Sequence, residues 1–130
     1  MVVVAWVSRH PPLEAQVQEL KRRLGDVKIV QVSKTFASAR DVVREVKAVG
    51  AKYAVLVLPL SMIAEVIKER EVAWLWAEME GLHECVLNKC DEFNPETDVW
   101  LPLRGSDKGR HMRFKGFKRI KEVRLVLEDL

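Results

Sequence analysis

The 130-residue chain has six glycines, and none lies in the turns after its first three strand-like runs. It contains no Gly-x-Gly-x-x-Gly and no Walker loop, which excludes the standard cradles for dinucleotides and nucleoside triphosphates. No apolar run is long enough to cross a bilayer, so no membrane partner is expected. The apolar start, Met1–Val7, has neither a preceding basic segment nor a following cleavage site, and reads as a first strand rather than a signal peptide. Two cysteines are too few for a disulfide scaffold, and with no signal peptide they point to reduced thiols and a cytoplasmic location. Two asparagines and three glutamines stand against 22 basic and 19 acidic residues. That balance leans toward a thermophilic source.

What remains is ample for one globular domain. Apolar residues make up 48% of the chain and charged ones 32%. Val2–Val7, Val27–Val32 and Tyr53–Leu58 are strand-like, and each leads through a short polar segment into an amphipathic helix. Leu13, Val17, Leu20 and Leu24 give the first helix, Leu13–Leu24, one apolar face. Gly25-Asp26 closes it. Ser38 caps a second helix, Ala39–Val49, which Gly50 stops. Ser61 is expected to cap a third, near Met62–Glu69, with Ile63, Val66 and Ile67 inward. Val72–Trp76 reads as a fourth strand, and Met79–Glu96 as a short helix around His83–Leu87 or an irregular lid. Asp98–Leu103, His111–Lys118 and Val123–Glu128 read as strands, with Gly105–Gly109 a turn. Met112 and Phe114 alternate with Arg113 and Lys115, implying one apolar and one basic face.

The fold expected is α/β: a small Rossmann-like open sheet, mostly parallel, with antiparallel C-terminal strands. Right-handed crossovers make the strand order begin 2-1-3. A single domain spans 1–130, with a core over 1–77 and a basic β-rich extension over 97–130. Ligands of such sheets sit at the carboxyl ends of the strands, where the order reverses.

That rule selects the candidate residues. Ser8, Arg9 and His10 follow the first strand. A guanidinium there suits an anion, although Pro11 and Pro12 remove two helix amides, and His10 is a candidate general acid or base. The plain alternative is a surface turn. Ser33, Lys34 and Thr35 follow the second strand and suit a phosphate; an ordinary strand-to-helix turn explains them as well. Ser61 follows the third strand and would approach Ser8 and His10. Arg110, His111 and Arg113 form a further basic group, whose alternative is a solvated edge strand. From Arg104 to Arg124 nine basic residues face Asp107 and Glu122, a net of +7 in a chain of +3, leaving −4 elsewhere. A basic segment on an acidic body suits a phosphate-bearing partner.

His83-x-Cys85 with Cys90 is one ligand short of a zinc site, and packed thiols explain it better. Glu78, Glu80 and Glu84 read as a solvated face. No metal and no cofactor is expected.

Ser8-Arg9-His10, the helix opening Leu13-Glu14-Ala15-Gln16, and Arg110–Phe114 together resemble small CRISPR-associated ring nucleases. Arg9 here separates a Ser and a His that those proteins place together. The resemblance implies a compact Rossmann-like homodimer that binds cyclic oligoadenylate and opens it without a metal, ending type III CRISPR signalling. On that reading Ser8, Arg9, His10 and His111 are catalytic, and Ser33, Lys34, Thr35, Ser61, Arg110 and Arg113 bind the ligand. Trp74 or Trp76 would stack on a base or fill a dimer interface. Two other classes stand beside it. One is a nucleic-acid-binding protein of a mobile element using the basic C-terminal segment. The other is a non-catalytic assembly module built on Trp74, Trp76 and Trp100.

Overall fold

The computed structural model describes residues 1–87, 89–90 and 92–130. The elements are β1 (Val2–Val7), α1 (Glu14–Leu24), β2 (Val27–Val32), α2 (Ala39–Ala48), β3 (Tyr53–Leu56), α3 (Leu60–Val66), β4 (Ala73–Val86), β5 (Asp98–Pro102) and β6 (Lys108–Arg119). The strands hydrogen-bond in the order β2-β1-β3-β4-β6-β5. Pairing is parallel from β2 through β4 and antiparallel between β5 and β6. The α/β class, the 2-1-3 beginning and the antiparallel C-terminal pair all match the expectation.

The chain forms two compact units. The first holds Met1–Pro11, Asp26–Trp76 and Lys118–Leu130; the second holds Pro12–Gly25 and Ala77–Phe117. Strand β4 passes from the first into the second, and β6 passes back.

The first unit owns the apolar core. Ala5 and Val7 of β1 join Ala54 and Leu56 of β3, Val42 and Val46 of α2, and Ile63 and Val66 of α3. Each Val, Leu or Ile side chain so buried contributes about 1.5–3 kcal/mol. Val4, Trp6 and Val55 alternate with these and are buried too. This is why β1 and β3 are apolar at every position. Helix α2 begins where Ser38 Oγ accepts from Asp41 N at 3.3 Å. It ends at Gly50, whose φ of 74° only glycine adopts without strain. In the second unit, Gln16 Oε1 turns back to accept from Leu13 N at 2.7 Å and starts α1. Gly25, at φ 79°, ends that helix.

Several boundaries differ from expectation. Pro59, not Ser61, is the N-cap of α3, and Ser61 sits inside its first turn. Strand β3 stops at Leu56. The helix or lid foreseen around His83–Leu87 is instead the continuation of β4, whose Ala77 and Met79 alternate with exposed Glu78 and Glu80. Asn88 and Asp91, within the segment 79–96, lie outside the described residues. Strand β6 starts earlier than foreseen, at Lys108. No strand forms over 123–128, where Leu125, Val126 and Leu127 are exposed and Val123 is packed against the core. The inward face of β6 is also reversed: Gly109 and His111 are its buried residues, so Arg113 shares the inner side. Among the described residues, no helix is long and apolar enough to cross a membrane.

Candidate functional site

The carboxyl ends of β1, β2 and β3 enclose a cleft of about 400 Å³ in the first unit. Its polar lining comes from Ser8, Arg9 and His10 after β1 and from Lys34 and Thr35 after β2. Its apolar wall is Val7, Phe36, Val57, Leu58, Pro59 and Met62. The cleft lies where strand order reverses, because β1 pairs with β2 on one side and β3 on the other.

Local hydrogen bonds shape the β1 turn. Ser8 Oγ accepts from His10 N at 3.1 Å. The buried Trp6 indole donates from Nε1 to His10 O at 2.8 Å. Gln31 Nε2, on β2, donates to Ser8 O at 3.1 Å. The turn is thus held from three sides while Arg9 and His10 remain exposed. The Arg9 guanidinium donates to Thr35 Oγ1, linking the two turns. Lys34 Nζ pairs with Glu45 at 3.1 Å. Among the described residues Arg9 has no acidic partner, so its charge is available to an anion.

The structure therefore gathers five of the foreseen residues, Ser8, Arg9, His10, Lys34 and Thr35, around one cleft. Ser33 is exposed after β2 and Ser61 is exposed on α3, and neither lines it. Arg110, His111 and Arg113 belong to the second unit. Trp74 is not an exposed aromatic: it is 3% exposed and donates from Nε1 to Glu69 O at 2.8 Å. Trp76 is 43% exposed.

The second unit holds a polar centre that the sequence did not disclose. Asp98, on β5, has a side chain with no exposed surface. Its Oδ2 accepts from His111 Nε2 at 2.7 Å, Asn94 N at 2.9 Å and Arg113 Nη2 at 3.0 Å. Its Oδ1 accepts from Thr97 Oγ1 at 2.7 Å and Arg113 Nε at 2.8 Å. The Arg113 guanidinium holds the Asp98 carboxyl far below the usual carboxylate range, against the opposing effect of burial. Register explains the arrangement: Asp98 lies opposite Arg113 and Trp100 opposite His111, which sets His111 diagonal to Asp98 on one face.

Beyond His111, His83 Nε2 lies 3.4 Å from Nδ1 of the same ring. Cys85 Sγ completes a group whose donor atoms all fall within 4.8 Å of one another. Cys85 and Cys90 are joined by a disulfide. This corrects the expectation of packed free thiols: β4 and the turn after it set the two Cα atoms 5.3 Å apart, a separation that a disulfide spans. Trp100 Nε1 donates to Cys85 O at 2.9 Å.

A scan against protein-family models, a search of curated proteins and a search of solved structures each return no match.

Proposed function

We propose that the cleft at the ends of β1, β2 and β3 binds a small phosphate-bearing nucleotide. One observation carries the reading. Side chains from two separate turns, Arg9 and His10 with Lys34 and Thr35, line one cleft whose opposite wall is apolar. A guanidinium, an ammonium and a hydroxyl suit phosphate oxygens, and Phe36 and Met62 suit a base. A cleft of about 400 Å³ holds a nucleotide-sized part of a ligand rather than a whole oligonucleotide ring.

The finer reading is a cytoplasmic Rossmann-like ring nuclease, by the resemblance of Ser8-Arg9-His10 and Arg110–Phe114. Its ligand would be cyclic oligoadenylate, and two copies of the chain would share the two-fold symmetric ring. In the reaction a ribose 2′-hydroxyl attacks the adjacent phosphorus and the bond to the 5′-oxygen breaks. A base takes the 2′-proton and the leaving 5′-oxygen gains one. The products are a linear chain with a terminal 2′,3′-cyclic phosphate and a 5′-hydroxyl. Arg9 and Lys34 would stabilise charge on the phosphate. His10, being exposed, would carry the proton. His111 is 0% exposed and pairs with Asp98, which leaves the proton step to His10.

The test incubates the protein, without added metal, with cyclic tetra-adenylate and cyclic hexa-adenylate and separates the products. Linear products ending in a cyclic phosphate, lost in Arg9→Ala and His10→Ala, are expected. Intact ligand with no measurable binding would overturn the reading. Salt-sensitive binding of DNA or RNA, weakened by neutralising the exposed Lys118 and Lys121, would instead favour a nucleic-acid-binding protein.

A further inference from the structure

Among its described residues the second unit has few fully buried apolar side chains. Among the described residues, Leu20 is its only buried apolar side chain; the rest of the buried set belongs to the first unit. Its other buried side chains are Gln16, Asp98 and His111. Small units with so little core are commonly stabilised by a disulfide or a metal.

We propose that the second unit is a zinc module in which His83 Nε2, Cys85 Sγ, Cys90 Sγ and His111 Nδ1 bind one Zn²⁺. The fourth ligand, missing from the sequence motif, is His111, brought in from β6 by the sheet. Three observations support the set. First, His111 Nε2 lies 2.7 Å from an Asp98 carboxylate that five donors surround. A carboxylate only accepts, so Nε2 carries a ring hydrogen, and Nδ1, the nitrogen that faces His83, is the one left to bind a metal. Zinc-binding histidines characteristically hold such a carboxylate on their far nitrogen.

Second, the two ring nitrogens stand 3.4 Å apart with the rings nearly perpendicular, at 87°. That is long for an N–H···N hydrogen bond. It equals the edge of a tetrahedron whose centre lies about 2.0–2.1 Å from each nitrogen, the zinc–imidazole distance. Third, one donor atom each from His83, Cys85 and His111 fall within 4.8 Å of one another, and the disulfide holds Cys90 Sγ next to Cys85, from where it can turn to the ion once the bond opens. Two thiolates neutralise a divalent ion, so the filled centre adds no net charge to a half-buried site. A donor set of two sulfurs and two nitrogens selects zinc among common divalent ions.

The disulfide and the metal centre are alternative states of the same sulfurs. A thiol or phosphine reductant supplies the two electrons that open the disulfide, and the two sulfurs take up two protons. Zinc then displaces those two protons as it binds the thiolates.

The test uses the full chain, reduced with a phosphine, stripped with a chelator and titrated with Co²⁺ and then Zn²⁺. One cobalt per chain is expected, with the intense visible bands of a tetrahedral site and ultraviolet thiolate charge transfer, both abolished by zinc. His83 is exposed, so His83→Ala removes little packing and should keep the far-ultraviolet circular dichroism spectrum. It should bind zinc more weakly by at least the roughly 10–100-fold that losing an outer partner costs. Cys90→Ser should do the same, and His10→Ala should bind as the parent does. No metal uptake by the reduced parent chain, an octahedral cobalt spectrum, or unchanged zinc affinity in His83→Ala and Cys90→Ser would each overturn the proposal. The readout needs no nucleotide, so its failure is separate from failure of the cleft reading.

Discussion

Replacing Asp98 with Asn keeps the shape of the side chain and removes its charge and half its acceptors. The carboxylate accepts from five donors on four residues, and no part of it is exposed. An amide has one oxygen. If that oxygen takes the Oδ2 place, it keeps His111, Asn94 N and Arg113 Nη2. The new amide group then points its hydrogens at Arg113 Nε, which is also a donor. The Thr97 hydroxyl can rotate to accept, but the guanidinium cannot. Losing the charge-assisted bond from Arg113 Nε, with the charge taken from the one that remains, costs about 1.5–3 kcal/mol, and a donor left facing a donor about 1–3 kcal/mol more. The sum agrees with the about 3–5 kcal/mol measured when one partner of a buried ion pair is removed. For a chain of this length about 4 °C of melting temperature follows each kcal/mol, so Asp98→Asn should melt about 12–20 °C below the parent. Urea unfolding of the metal-free, disulfide-bonded form, followed by tryptophan fluorescence, gives the free energy directly. A loss below about 1 kcal/mol would refute the view that Asp98 organises the second unit.

Gly109→Ala should also destabilise this unit, because an added Cβ would fall inside the Trp100 indole. That ring is fixed by its bond to Cys85 O, so the overpacking should cost about 1–3 kcal/mol, read as a lower urea midpoint. Ser38→Ala removes the hydroxyl that accepts from Asp41 N at the start of α2. It should cost about 1 kcal/mol by the same assay, and Ser38→Asp should restore most of it.

The first unit was largely legible because its signals are local. Val42, Val46 and Ser38 mark α2 by spacing and cap, and β1 and β3 carry unbroken apolar runs. Placing Arg9, His10, Lys34 and Thr35 at one cleft needed only strand order. The second unit was hidden because its centre depends on register. Nothing near His111 in the sequence says that it will pair with Asp98, thirteen residues away, or face His83, twenty-eight away. The extension of β4 was obscured because exposed Glu78 and Glu80 alternate with only half-buried Ala77 and Met79, too weak an apolar pattern to mark a strand. Ser61 reads as a cap because Pro59, which holds that position, has no side-chain acceptor.

The strand order β4-β6-β5 sets a sequence of events during synthesis. Strand β4 is complete at Val86, but its neighbour β6 begins only at Lys108. Until that later segment leaves the ribosome, one edge of β4 has no strand beside it, and β5 has no place in the sheet. A β5–β6 hairpin forms within microseconds once both strands exist, so waiting for its residues, rather than pairing them, limits closure. A chain stalled between these points exposes an unpaired strand of the kind that recruits other chains. Slowing translation across 87–107 is therefore expected to lower yield, an effect the finished fold no longer shows.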